Sequence, residues 1–145
     1  MPNKLAKTPS NTTAAASWSS ERSAELYGIN TWGAGYFNLS EQGEAQVNVD
    51  FGDQQVVVSI MDIVLGMRAR GLHMPAVLRI RNLLDHRIKV LNESFALAIE
   101  QGGYQNSYRG VFPIKVNQQC HVIEEIADYG RHYHHGFEAG SKAEL

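Results

Sequence analysis

From residue 76 onward the chain alternates short apolar runs with longer amphipathic ones, and glycines mark the joints. Residues 76–80 (Ala-Val-Leu-Arg-Ile) read as a short buried strand. Leu84, Ile88, Leu91, Phe95 and Ile99 then recur at helical spacing, with Asn82 or Asp85 as cap and Gly102-Gly103 as stop. Residues 109–117 read as the next strand and 119–129 as a helix ended by Gly130. Residues 135–139 read as another strand, and Ser141 with Glu144 as the capping box of a further helix. Strands that alternate with helices select a parallel sheet with right-handed crossovers. A doubly wound sheet and a TIM barrel both satisfy the pattern. A chain that stops on a capping box with no helix behind it reads as a fragment.

The first half follows another rhythm. Residues 1–23 are rich in Ser, Thr, Ala, Asn and Pro, with Trp18 their one large aromatic. So little apolar area cannot offset the entropy of ordering, which predicts a disordered tail. Residues 24–71 form a second segment. It opens with Tyr27, Trp32, Tyr36 and Phe37 interleaved with Gly28, Gly33 and Gly35, a packed loop or short strand. Gly33-Ala34-Gly35 lacks the third glycine and the helix of a dinucleotide fingerprint. Residues 45–49 and 54–59 flank Asp50-Phe51-Gly52-Asp53 and predict a hairpin. Ser59 and Asp62 resemble a capping box ahead of Ile60, Ile63, Val64 and Met67, with Gly71 closing that helix. Residues 72–145 are then the incomplete α/β domain.

With 145 residues, 43% hydrophobic and 19% charged, the chain has the composition of one globular domain. A net charge of −2 supplies no basic field, so nucleic acid is not an implied partner. Cys120 is the only cysteine, which precludes an intrachain disulfide and fits a reducing compartment. No run approaches the roughly 20 apolar residues of a membrane span, so no membrane partner is expected. Lys4 and Lys7 are not followed by the apolar core of a secretory signal, and the expected location is cytoplasmic.

The segment richest in chemistry is Phe112-Pro113-Ile114-Lys115-Val116-Asn117. On a strand, Phe112, Ile114 and Val116 share one face. Pro113, Lys115 and Asn117 share the other, which brings the lysine inward near the carboxyl end where parallel α/β folds build sites. A buried lysine is costly, and proteins keep one chiefly as a nucleophile or Schiff-base former. On side-chain type alone, roughly nine in ten lysines sit on the surface, so periodicity leaves both readings open. Pro113 cannot donate a ladder hydrogen bond and argues for a bulge or a free nitrogen. His132, His134 and His135 fall between a helix end and a strand, a polar loop rather than a metal site. Cys120 is assigned no catalytic role, and Arg79, in a strand expected to be buried, calls for a carboxylate partner.

Phe112 to Asn117, followed by Val122-Ile123, Ile126 and Gly130, resembles the lysine signature of the ornithine, diaminopimelate and arginine decarboxylases over nineteen positions. Gly136-Phe137-Glu138-Ala139-Gly140-Ser141-Lys142-Ala143-Glu144-Leu145 looks like that family's next strand and helix start. Upstream, Trp32-Gly33-Ala34-Gly35-Tyr36-Phe37, Pro75-Ala76-Val77-Leu78-Arg79-Ile80 and residues 104–110 resemble the long biosynthetic arginine decarboxylases. The resemblance spans residues 27–145. It implies the start of a TIM barrel of the alanine-racemase-like type that binds pyridoxal 5'-phosphate, truncated and preceded by a small β-containing segment. It further implies a homo-oligomer and a β-rich C-terminal domain. Lys115 is implied as the lysine that carries the cofactor, with Glu138, Ser141 and Glu144 around it. A helix cap competes as the role of Ser141 and Glu144. Mg2+ is an associated ion with no ligand set in view. The implied reaction converts L-arginine to agmatine and CO2 in polyamine biosynthesis, and the 145 residues alone are expected to be inactive. Ornithine or diaminopimelate decarboxylation, or a non-catalytic regulatory homologue, are the alternatives.

Overall fold

A computed structural model of the chain describes residues 17–51 and 54–145, with the side chain of Phe51 left aside. Most of the expected tail, residues 1–16, lies outside the described residues. Its last part is not a tail: the Ser19 hydroxyl accepts from the Arg22 amide at 3.2 Å and caps α1 (Ser20–Leu26), with Glu21 in the first turn. The aromatic–glycine stretch is turn and strand start as expected at residues 33–37, but its middle is helical. Gly28 turns the chain at φ +64°, and α2 (Ile29–Trp32) follows with Ile29 buried. Trp32 donates its indole N–H to the Tyr27 carbonyl (3.0 Å) and lies tilted against Phe37, centroids 5.4 Å apart. Local hydrogen bonds of this kind close a helical turn where composition suggested none.

The expected hairpin is present. β1 (Phe37–Leu39), β2 (Ala45–Phe51) and β3 (Gln54–Ser59) form an antiparallel sheet in that order, with Phe51 opposite Gln54 and Val47 opposite Val58. Val47, at 1% exposure, anchors its inner face. α3 (Ile60–Ala69) starts where the cap residues place it: the Ser59 hydroxyl accepts from the Asp62 amide at 3.4 Å. It ends at Gly71, whose φ of +77° lets the Gly71 and Leu72 amides donate back to Arg68 and Met67.

Residues 76–80 do not form the expected buried strand. They lead without regular structure to α4 (Arg81–Gly102), and Val77 is 78% exposed. An apolar run becomes a strand only when a neighbour completes its ladder. β4 (Val111–Pro113) pairs instead with β5 (Gly136–Glu138), in parallel, across α5 (Cys120–Gly130). Neither Asn82 nor Asp85 caps α4, whose N-cap is Ile80; Asn82 turns aside and donates to the Asp50 carbonyl at 2.8 Å. Gly103 ends the helix as expected, with φ +64°. The architecture is therefore mixed α/β, an antiparallel sheet plus a parallel pair, with no closed barrel among the described residues.

Two polar junctions tie these parts together. At the first, the Tyr36 hydroxyl donates to His86 Nδ1 (2.6 Å), while His86 Nε2 lies 3.9 Å from an Asp50 carboxylate oxygen. A carboxylate on that side favours the proton on Nε2 and leaves Nδ1 as acceptor. The hairpin is thereby fastened to α4 across fifty residues of sequence.

The second junction lies between α4 and α5. Glu125 is buried and paired with the exposed Arg81. Beside it, Asp85 Oδ1 is buried without a hydrogen-bond donor. Burial, then a shared hydrogen bond and like charge from Glu125, push Asp85 up to about 6, with Arg81 opposing. A carboxyl raised on folding stabilises the fold fully below its unfolded value near 3.8, and that stabilisation is lost as pH rises through about 6. Asp85→Asn keeps the shape and removes the charge. We expect it to raise stability at pH 7.5 by ~1 kcal/mol, solvent screening having reduced the full shift, with little gain at pH 4. Paired urea melts at the two pH values check this, and an equal effect at both would exclude Asp85 as the source.

Candidate active site

Parallel register sets the geometry around Lys115. Val111, Phe112 and Pro113 face Gly136, Phe137 and Glu138, so both strands end at the same level. Pro113 is the last residue of β4, a position where a missing amide disturbs least. The strand does not run on to residue 117 as expected. Ile114–Val116 form a 3-10 turn, closed by the Asn117 amide donating to the Ile114 carbonyl at 3.1 Å. Alternation therefore stops at Pro113, and Lys115 is exposed rather than facing an interior. Val116 is exposed with it. The difference has a physical cause: an interior at that level needs strands on both sides, and β4 has one neighbour among the described residues.

Across the register, β5 delivers Glu138 at its carboxyl end, exposed like the lysine. The chain then turns at Gly140. The Gly140 amide donates to Glu144 Oε2 at 2.6 Å, and a side chain placed at Gly140 would meet both Glu138 Oε1 and Glu144 Oε2 at 3.6 Å. Glu138 and Glu144 are thus brought together around one glycine. Ser141 is exposed and accepts the Glu144 amide through its carbonyl (3.2 Å), not its hydroxyl. The expected helix start is a turn here, so Ser141 is not a helix cap.

Below the lysine turn, Asn117 Oδ1 accepts from the Gln119 amide (3.1 Å) and sets the entry into α5. Cys120 opens that helix exposed; its thiol donates to Glu124 (3.2 Å), and this carboxylate holds the thiol above its ordinary range. A cleft of about 310 Å³ runs past Ile80, Arg81, Asn117, His121 and Glu125. Lys115 is not among its walls. Arg79 is exposed and lines that cleft, but the arginine that meets the buried carboxylate is Arg81, two residues on.

His135 carries more structure than a loop histidine. Its ring lies against Gly110, where a Cβ would come within 2.4 Å of Nδ1, and its own Cβ is 3.0 Å from where one would stand on Gly130. Burial lowers its pKa. The signal available in the sequence was the pair of glycines, one before β4 and one ending α5, each allowing backbone to approach a ring closely. Gly110→Ala should displace the ring and cost about 1–3 kcal/mol. Chemical denaturation measures it, and an unchanged midpoint would mean that the ring swings clear.

The chain is similar to known proteins along most of its length. No protein-family model matches the chain. It is 43% identical over 129 residues to a protein named biosynthetic arginine decarboxylase from Prochlorococcus marinus (strain MIT 9303), covering 89% of this chain and 20% of the relative. Proteins of the same name from Gloeobacter violaceus and Thermosynechococcus vestitus are 42% and 41% identical over 128 and 133 residues. These cover 88% and 92% of the chain. The chain is a relative of the biosynthetic arginine decarboxylases. It spans about a fifth of the length of those decarboxylases. Among the described residues no helix is long and apolar enough to cross a membrane.

Proposed function

We propose that this chain supplies the cofactor lysine and the adjoining acidic turn of a pyridoxal-phosphate-dependent arginine decarboxylase. The substrate would be L-arginine and the products agmatine and CO2. β4 and β5 are then neighbouring strands of the parallel barrel, with Lys115 at its mouth. The observation that carries this reading is the identity of about 40% to enzymes of that name along most of the chain.

The residues present suit the group. Lys115 offers an exposed amine with no ion pair among the described residues, so an aldehyde can reach it without breaking a salt bridge. When bound, pyridoxal phosphate supplies the electron sink that accepts the pair left as the α-carboxylate departs. The chain's own contribution is holding and orientation. Lys115 would anchor the cofactor through Nζ, Glu138 places a carboxylate at the next strand end, and Glu144 fixes the turn through the Gly140 amide.

Exposure of Lys115 favours a second reading, in which the fold is kept by a non-catalytic homologue. A chimera separates the two. The matched span of the Gloeobacter violaceus relative is replaced by this chain, incubated with pyridoxal phosphate and reduced with borohydride. Cofactor fixed on the peptide holding Lys115, with CO2 released from L-arginine before reduction, supports the proposal. Label on another lysine, or a chimera that takes cofactor without releasing CO2, rejects it.

A further inference from the structure

The packing of α4 on α5 brings two acids together above an apolar seam. Arg81 and Asp85, one turn apart on α4, meet Glu125 of α5. The next residues of α4 at helical spacing are Ile88 and Asn92, both buried, and Ile126 of α5 is buried beside Glu125 in the chain. Asn92 donates its amide to the Ile88 carbonyl of its own helix (2.8 Å) and bonds to nothing on α5 among the described residues. Asp85 Oδ1 is closed off from solvent and receives no donor. Glu125 is 6% exposed, and its partner Arg81 has a side chain that is 73% exposed. Water therefore screens the cation while the acids are withdrawn from it.

Two ionised carboxylates only accept hydrogen bonds, so nothing joins them. A single proton changes this: the protonated acid donates to the charged one, which removes the repulsion and satisfies the orphaned oxygen together. The surroundings hold no other remedy. On α4, His86 Nδ1 accepts from Tyr36 and Nε2 faces Asp50 of β2, while Lys89 is exposed and makes no ion pair among the described residues. On α5, Asp128 adds negative charge near Arg81, and the Tyr129 phenol stands across a cleft of about 350 Å³ from Asp85. That cleft, open beside Lys89, lets a proton exchange with solvent. We propose that Asp85 and Glu125 hold one proton between them, and that this shared proton clasps α4 to α5 and frees the seam when it departs. Burial and the neighbouring Glu125 hold Asp85 up at about 6. The clasp is thus closed below that pH and opens as the pH rises through it. The proposal is independent of the role given to Lys115.

Carbon NMR of the 145-residue chain, with the Asp and Glu carboxyl carbons labelled, tests this. The Asp85 and Glu125 carbons should move together in one step at a pH of about 6, and the α5 amides should lose protection from hydrogen exchange across the same step. Glu125→Gln should move the Asp85 midpoint down, because the new amide donates to a charged Asp85. Arg81→Gln should move it up. Asp85→Asn, a donor at every pH, should keep the α5 amides protected above the step. A Glu125 carbon that stays still while Asp85 titrates overturns the shared proton. So does an Asp85 midpoint that Glu125→Gln leaves in place, which would assign the raised value to burial alone. Exchange protection that is the same on both sides of the step overturns the clasp. Amide dispersion shows whether each variant folds, and the wild-type carbons decide by themselves where one does not.

Discussion

Lys115→Ala, introduced into the chimera described above, is expected to reduce release of CO2 from L-arginine by at least about a thousandfold, because loss of a covalent anchor and its proton is not shared with neighbours. The fold should be unaffected. Lys115 is exposed in a 3-10 turn and makes no ion pair among the described residues, so its truncation removes no buried contact. That combination makes the result diagnostic. Equal melting curves with lost turnover identify a chemical role, whereas activity within tenfold of the parent would remove Lys115 from the reaction. Lys115→Arg sharpens the contrast, since it keeps a positive charge but offers no primary amine to condense with an aldehyde.

Ile126→Ala should produce the largest loss of stability. Ile126 is 1% exposed and sits on the face of α5 that packs on α4. Only Ile29, Val47 and Ile88 accompany it as buried hydrophobic residues among those described. Truncating a buried isoleucine costs about 2–5 kcal/mol. Against a total of about 5–15 kcal/mol for an ordinary domain, and fewer buried side chains than most, that leaves little reserve. We expect the variant to lose helical circular dichroism at room temperature or to shift its urea midpoint by half or more. A loss under about 1 kcal/mol would show that the seam between α4 and α5 collapses around the gap.

Local chemistry was legible in the sequence and long-range geometry was not. Ser59 and Gly71 announced the ends of α3 because a cap acts within three or four residues, and both behave as read. The hairpin was legible because its two strands are separated by a two-residue link. Residues 76–80 have equally good strand composition, yet a strand is completed by a partner elsewhere, and none pairs with them here. The expected inward orientation of Lys115 is not found, for a related reason. Its inward direction was inferred from alternation, and alternation lapses where the ladder stops at Pro113. The meeting of Asp85 with Glu125, forty residues apart, and the lodging of His135 against two glycines depend on how helices settle. Period and propensity do not encode that. Glu138 and Glu144 were picked out by resemblance, and their convergence on Gly140 was not foreseeable from spacing.

The Tyr36–His86 contact has a kinetic consequence. The hairpin strands pair residues three to thirteen apart, β4 and β5 pair residues twenty-five apart, and Tyr36 and His86 lie fifty apart. Loop-closure entropy favours these events in that order, so the hairpin is expected to form ahead of the contacts that α4 makes. The first turns of α4, bearing Asn82 and His86, then act as the latch that commits the early half to the later one. Pulse-labelled amides should accordingly become protected in β2 and β3 ahead of α4, and replacing His86 with alanine should retard the second event while leaving the first untouched.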